Sequence, residues 1–243
     1  MTLKPALRYS LSDSLKALAI YYAIIIAING LLLVFVRLMS TSASFNGLNM
    51  STYIFNFVLG LTTFRQTLLM LLQHGRSRHS VYISTAITAL TLAVIMSTID
   101  LILTKLLNVA DNMLELEVNG TIITGLSTGT GIYLYINLFL TYLLFGLAGF
   151  IISALYYRMN TFQKILVSAG VPLTILVALP IIDTTFKTNL FRGIIKVAAL
   201  VFFNISNWSI LNSDMLITLV RVGVLLAVFG IYYLSMYRIK VKA

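Results

Sequence analysis

Chemistry needs polar side chains brought to one place, and this chain offers few of them. Its 243 residues include two histidines, seven acidic residues and no cysteine. His74 and His79 lie five apart beside Arg76 and Arg78 with no carboxylate close by. A zinc helix of the HExxH type needs histidines four apart with a glutamate between them. No metal site is therefore expected. The stretch Gly125 to Gly131, GLSTGTG, has the glycines of a phosphate loop but not its closing Lys-Ser/Thr pair, so it is expected to be a plain turn. No apolar stretch carries paired acids of the kind an intramembrane hydrolase or a headgroup transferase would use. The absence of cysteine excludes disulfides, thiolate metal centres and cysteine nucleophiles. The expectation is a non-catalytic chain with no metal and no cofactor of its own.

The elements that carry these residues are set by composition. Hydrophobic residues make up 59% of the chain, charged residues only 10%, and mean hydropathy is +0.97. Soluble domains carry roughly 25% charged residues, so the solvent expected here is lipid. Apolar runs of about 20 residues recur, each long enough to cross a hydrocarbon core of roughly 30 Å as a helix. The run from Ala17 to Val36 is apolar on every face apart from Asn29 and Gly30, which excludes the polar-apolar alternation of a barrel strand. The expected fold is all-α: one polytopic domain over residues 1–243 with six transmembrane helices. Their expected limits are Ala17 to Leu38, Gly47 to Arg65, His79 to Leu107, Gly131 to Tyr157, Lys164 to Ile182 and Asp214 to Tyr237. No cleavable leader is expected, because the first apolar run is too long for one and ends at Arg37.

Charge orients these spans. Lys4, Arg8 and Lys16, then Arg65, Arg76 and Arg78, then Arg158 and Lys164, and finally Arg238, Lys240 and Lys242 all fall on one side. Basic residues in short loops mark the cytoplasmic face, so both termini are expected there, in a bacterial plasma membrane. The acids agree. Asp100, Asp111, Glu115, Glu117, Asp183 and Asp214 fall on the other side, with Asp13 alone inside. The net charge of +10 does not indicate nucleic acid, because the basic residues are dispersed along the chain rather than gathered on one aromatic-interleaved face. Residues 1–16 place Leu3, Leu7, Leu11 and Leu15 at four-residue spacing, as expected of an interfacial helix; the alternative is a solvated tail. Residues 183–213 mix Lys187, Arg192 and Lys196 with Phe191, Ile194, Ile195 and Val197, which suggests an external helical segment at the outer surface.

Within the spans, an ionisable residue is a functional candidate. Arg221 lies seven residues past Asp214, roughly 10 Å into the last span at 1.5 Å per residue. It either lines a polar cavity, or snorkels outward, or pairs with an acid such as Asp100. Arg37, Asp100 and Lys105 are placed near the outer interface, where they need no function. Pro172, after Gly170, should kink or break the fifth span, for motion or for packing. Tyr133, Tyr135, Phe139, Tyr142 and Phe145 belong to an interfacial belt and core, with substrate contact at Tyr135, Phe139 and Tyr142 as the functional alternative.

The stretch Phe64 to Val81, FRQTLLMLLQHGRSRHSV, would bury Arg65 if it ran straight on from the second span. A bend near Thr62 to Phe64 would avoid this. Gln66 to Gln73 would then form a short helix along the cytoplasmic face, stopped by Gly75, with Arg78 opening the third span. This layout resembles the permease subunits of type-2 ABC exporters, and LLQHGRSRHSVYIS is similar to the entry to the third span in small Firmicutes members of that group, including permeases of phenol-soluble-modulin exporters and of lantibiotic immunity. The resemblance implies a coupling helix over residues 64–77, with Arg65, Leu68, Leu69, Leu72, Gln73, Gly75, Arg76 and Arg78 meeting a separate ABC ATPase subunit. It also implies a second permease subunit, identical or paralogous, with ATP and magnesium bound by the ATPase. Amphipathic or antimicrobial peptides, or lipids, would pass between the two permeases. A secondary transporter is the alternative, but repeats and midplane titratable groups are not evident in the sequence. A membrane-embedded enzyme is the more distant one.

Overall fold

The structure is a computed structural model that describes residues 4–39, 48–73, 78–114, 132–174, 177, 179–186, 193–198 and 214–237. All regular structure among these residues is helical: α1 (Lys4–Met39), α2 (Leu48–Gln73), α3 (Arg78–Leu114), α4 (Ile132–Arg158), α5 (Thr161–Leu173), α6 (Leu179–Phe186), α7 (193–198) and α8 (Asp214–Tyr237). Three of them carry apolar stretches long enough to cross a membrane, Ser10–Leu31, His79–Leu106 and Ile132–Arg158. The apolar part of α8, Thr218–Leu234, is shorter. In α2 the apolar run is interrupted by Asn49, Ser51, Thr52, Asn56, Thr62 and Thr63.

Helix α4 is the centre of the bundle and packs against α2, α3 and α8, while α1 packs against α2 and α3. Side-chain pairs fix the directions. Ser10 meets Thr88 and Tyr22 meets Asp100, so α1 and α3 run parallel. Ser14 meets Thr63, and Tyr21 donates to Ser51 and Thr52, so α1 and α2 are antiparallel. Tyr133 meets Thr218 while Phe150 stacks on Tyr232, so α4 and α8 run parallel. Two parallel helices require the intervening chain, residues 159–213, to return from one end of the bundle to the other.

The closest approach is between α2 and α4. A Cβ on Gly60 would stand 2.6 Å from the carbonyl oxygen of Gly146, and one on Gly149 would collide with the carbonyl oxygen of Phe57. Without side chains at these positions, two helix backbones can touch and gain dispersion contacts where lipid supplies no hydrophobic drive. Beside them, Asn56 donates to the carbonyl of Tyr142 at 2.6 Å.

The structure differs from the sequence expectations at two places. The amphipathic start of the chain is not a separate interfacial helix over residues 1–16: from Lys4 it is continuous with the first span, in a helix of 36 residues, about 54 Å long. The reason lies at Ser10 and Ser14, which are buried and bonded to Thr88, Thr67 and Thr63, drawing this part of α1 into the bundle. Helix α2 likewise runs through Thr62 to Phe64 to Gln73 without ending. Thr62 caps no break there, since its hydroxyl donates to Val58 and Leu59 within the helix. Within the expected fifth span two helices are described, α5 and α6, the first ending one residue past Pro172, where the sequence expects a kink or break. Thr174 closes α5, its backbone N–H directed to Gly170 and Val171.

Candidate functional site: a buried charged cluster

Asp100 and Arg221 are an acidic and a basic side chain that the bundle encloses almost completely, with 2% and 0% of their surfaces exposed. Asp100 lies six residues before the end of the apolar part of α3, about 9 Å inside it. One carboxylate oxygen accepts from Tyr22 of α1 at 2.7 Å, and the other accepts from Tyr142 of α4. Arg221 donates to the Asn137 Oδ1 at 3.0 Å and to Thr141, both on α4. Tyr53 of α2 lies within electrostatic reach of both charges, its ring 5.3 Å from that of Tyr142.

These contacts come from five helices because the residues face inward at one level of the bundle. Asn137, Thr141 and Tyr142 fall on adjoining positions of α4, and the parallel α8 brings Arg221 beside the first two. A charge taken out of water is costly unless hydrogen bonds replace its hydration. Here Asp100 is held by two phenols and Arg221 meets an amide and a hydroxyl of α4, without a bond between Asp100 and Arg221. One donor is left over, the Asn137 Nδ2, which is buried without a partner. The cluster therefore holds a carboxylate, a guanidinium, three tyrosines and a free amide donor in a space sealed from the surface.

The sequence-based site residues divide. Arg221 and Tyr142 come together in this cluster. Arg221 neither snorkels nor pairs with Asp100. Tyr135 and Phe139 are half-buried on α4, and Pro172 is exposed on α5, away from the cluster. Asp100 is not an interfacial bystander: its neighbours on one face of α3 point into the bundle, and its position near the span end concealed this. Tyr22, Tyr53, Asn137 and Thr141 were also missed. A polar residue in each of several apolar runs was the available signal; the runs alone do not say which of these residues meet.

Toward the C-terminal end of α2, Leu68 has no exposed surface and joins Phe64 in the core, so it does not project toward a partner. Arg65, Leu69 and Gln73, four residues apart, are exposed on the opposite face. Leu72 belongs to α2 and Arg78 begins α3, while Gly75 and Arg76 lie outside the described residues. His79 packs edge-on against Tyr233 of α8 with ring centres 6.5 Å apart, and His74 lies outside the described residues. No group of three or more metal-ligating side chains occurs among the described residues. No family model matches the chain, no curated protein matches its sequence, and no solved structure matches its fold.

Proposed function

We propose that this chain is the membrane-spanning subunit of an ATP-driven exporter, non-catalytic itself and coupled to a separate ABC ATPase that binds ATP and magnesium. The observation that carries the reading is the stripe Arg65, Leu69 and Gln73. It lies exposed on α2 near the basic end of the bundle, opposite the face that Phe64 and Leu68 bury. A helix gripped by the core on one side and free on the other is a rigid element through which a partner's movement can reach the bundle. The parallel course of α4 and α8 supports six crossings, since the chain must return between them. Both termini are then cytoplasmic, and single cysteines at Ser77 and Asn119 label from inside and outside respectively. Export of amphipathic or antimicrobial peptides, or lipids, between two such subunits is the activity proposed.

The test is co-purification of the ATPase with Leu69→Asp. Leu69 is 40% exposed, so the variant inserts at normal yield but loses vanadate-sensitive ATP hydrolysis from the purified complex. Retention of the ATPase by the well-inserted variant refutes the docking stripe. A second reading, ion-coupled secondary transport, is favoured by the intramembrane Asp100 and Arg221. Transport into vesicles that continues without ATP and stops on adding a protonophore would establish it in place of the first.

A further inference from the structure

At the basic end of the bundle, the two-residue link of Met159 and Asn160 turns the chain from α4 into α5 and leaves a groove of about 480 Å³ between them. Its walls are apolar, with Leu155 on α4 and Phe162, Leu166 and Val167 on α5. At its rim stand Arg158, the last residue of α4, and Gln163. No residue of α5 is buried, and Phe162 is 76% exposed. A bond of 2.6 Å between Tyr156 and Ser168 sets the spacing of the two helices. The Gln163 Oε1 accepts from the backbone N–H of Asn160 at 3.1 Å, which fixes the side chain and leaves its amide hydrogens for another acceptor.

We propose that this groove seats one anionic phospholipid, with its phosphate on Arg158 and Gln163 and an acyl chain along Leu155, Phe162 and Leu166. The apolar stretch of α4 ends at Arg158, so the rim lies where a headgroup meets its chains. A guanidinium and an amide together present donors to phosphate oxygens. None of the lining residues is acidic, so the groove has nothing to receive the ammonium of a zwitterionic headgroup. Lys164 beside the rim adds to the preference for negative charge. The proposal does not depend on the exporter reading.

The chain has one tryptophan, Trp208, so a reporter can be placed without interference. The full chain carrying Trp208→Phe and Phe162→Trp is reconstituted in phosphatidylcholine vesicles containing brominated phosphatidylglycerol or brominated phosphatidylcholine at equal fraction. Quenching is expected to show about a fivefold preference for the glycerol lipid, the scale of one basic residue against an anionic surface. Arg158→Gln brings the preference close to one, while Arg65→Gln leaves it unchanged. Four results overturn the proposal. They are equal quenching by both lipids in the parent, an equal fall with Arg65→Gln, and loss of the preference in excess inorganic phosphate. The fourth is a tryptophan quenched by neither lipid, which means that protein covers the groove.

Discussion

At the Arg221 end of the bundle two ionisable side chains are buried and bonded to hydroxyl and amide groups, whereas at the Ser10 end the described polar contacts between side chains of different helices are bonds between hydroxyls. There Ser10 meets both Thr67 and Thr88, Ser14 meets Thr63, and Thr85 meets Tyr232. The bonds at the two ends differ in what their loss leaves behind. A serine or threonine without its partner can turn back to a carbonyl of its own helix, as Thr85 and Thr88 already do. A guanidinium or carboxylate has no such refuge. The charged end therefore dictates which helices must meet, and the hydroxyl end accepts their meeting.

The largest expected effect is at Arg221. Arg221→Leu removes the donors to Asn137 and Thr141 and strands two enclosed acceptors; a loss of about 1–3 kcal/mol for each is expected. Denaturation in mixed micelles, followed by tryptophan fluorescence or helicity, would read it, and a loss as small as that of a serine variant would break the contrast between the ends. Next comes Asp100→Leu, which strands the hydroxyl of Tyr142 and leaves that of Tyr22 only the Met96 carbonyl at 3.4 Å, a loss of about 1–3 kcal/mol. Asp100→Asn keeps an acceptor for one of them and should recover part of that loss in the same assay. Gly149→Ala lies between the two ends, where the new methyl meets the backbone of α2. The expected cost is about 1–3 kcal/mol, seen as a lower melting point in detergent. The smallest effect is Ser10→Ala, about 0.6 kcal/mol, typical of hydroxyl bonds between membrane helices. If Ser10→Ala instead matched Asp100→Leu, the hydroxyl end would be as demanding as the charged one.

Much of the helical layout was legible because lipid imposes a simple rule, a long apolar run for each crossing. The runs around Ala17, His79 and Gly131 satisfy it, and the structure places α1, α3 and α4 there. Where the rule gave way, the cause was a face rather than a run. Leu68 is as apolar as Leu69, and only the rotation of α2 decides that one is enclosed and the other exposed. Asp100 had the same ambiguity, since a position near the end of a span is compatible with an interface or with the interior. The depth of Arg221 could be counted along the chain. Its partners could not, because Asn137 and Thr141 are 84 and 80 residues away and are brought close only by the parallel course of α4 and α8.

The hydroxyl contacts repeat with the period of the helix itself. Ser10 and Ser14 are one turn apart on α1, Thr63 and Thr67 one turn apart on α2, and Ser84 and Thr88 one turn apart on α3. Ser84 is enclosed with its oxygen unpartnered. If α1 advanced by one turn, about 5.4 Å, Ser10 would face Ser84, Ser14 would face Thr88, and Ser14 would meet Thr67. At this end the two alignments are nearly synonymous, like a ladder whose rungs cannot be told apart. Tyr22 has no such synonym: the same advance carries it past Asp100 and puts Ile26 closest to the carboxylate. The phenol–carboxylate bond of Tyr22, with Tyr21 on Ser51 and Thr52 beside it, thus acts as the index mark of the bundle, turning a repetitive seam into one with a unique alignment.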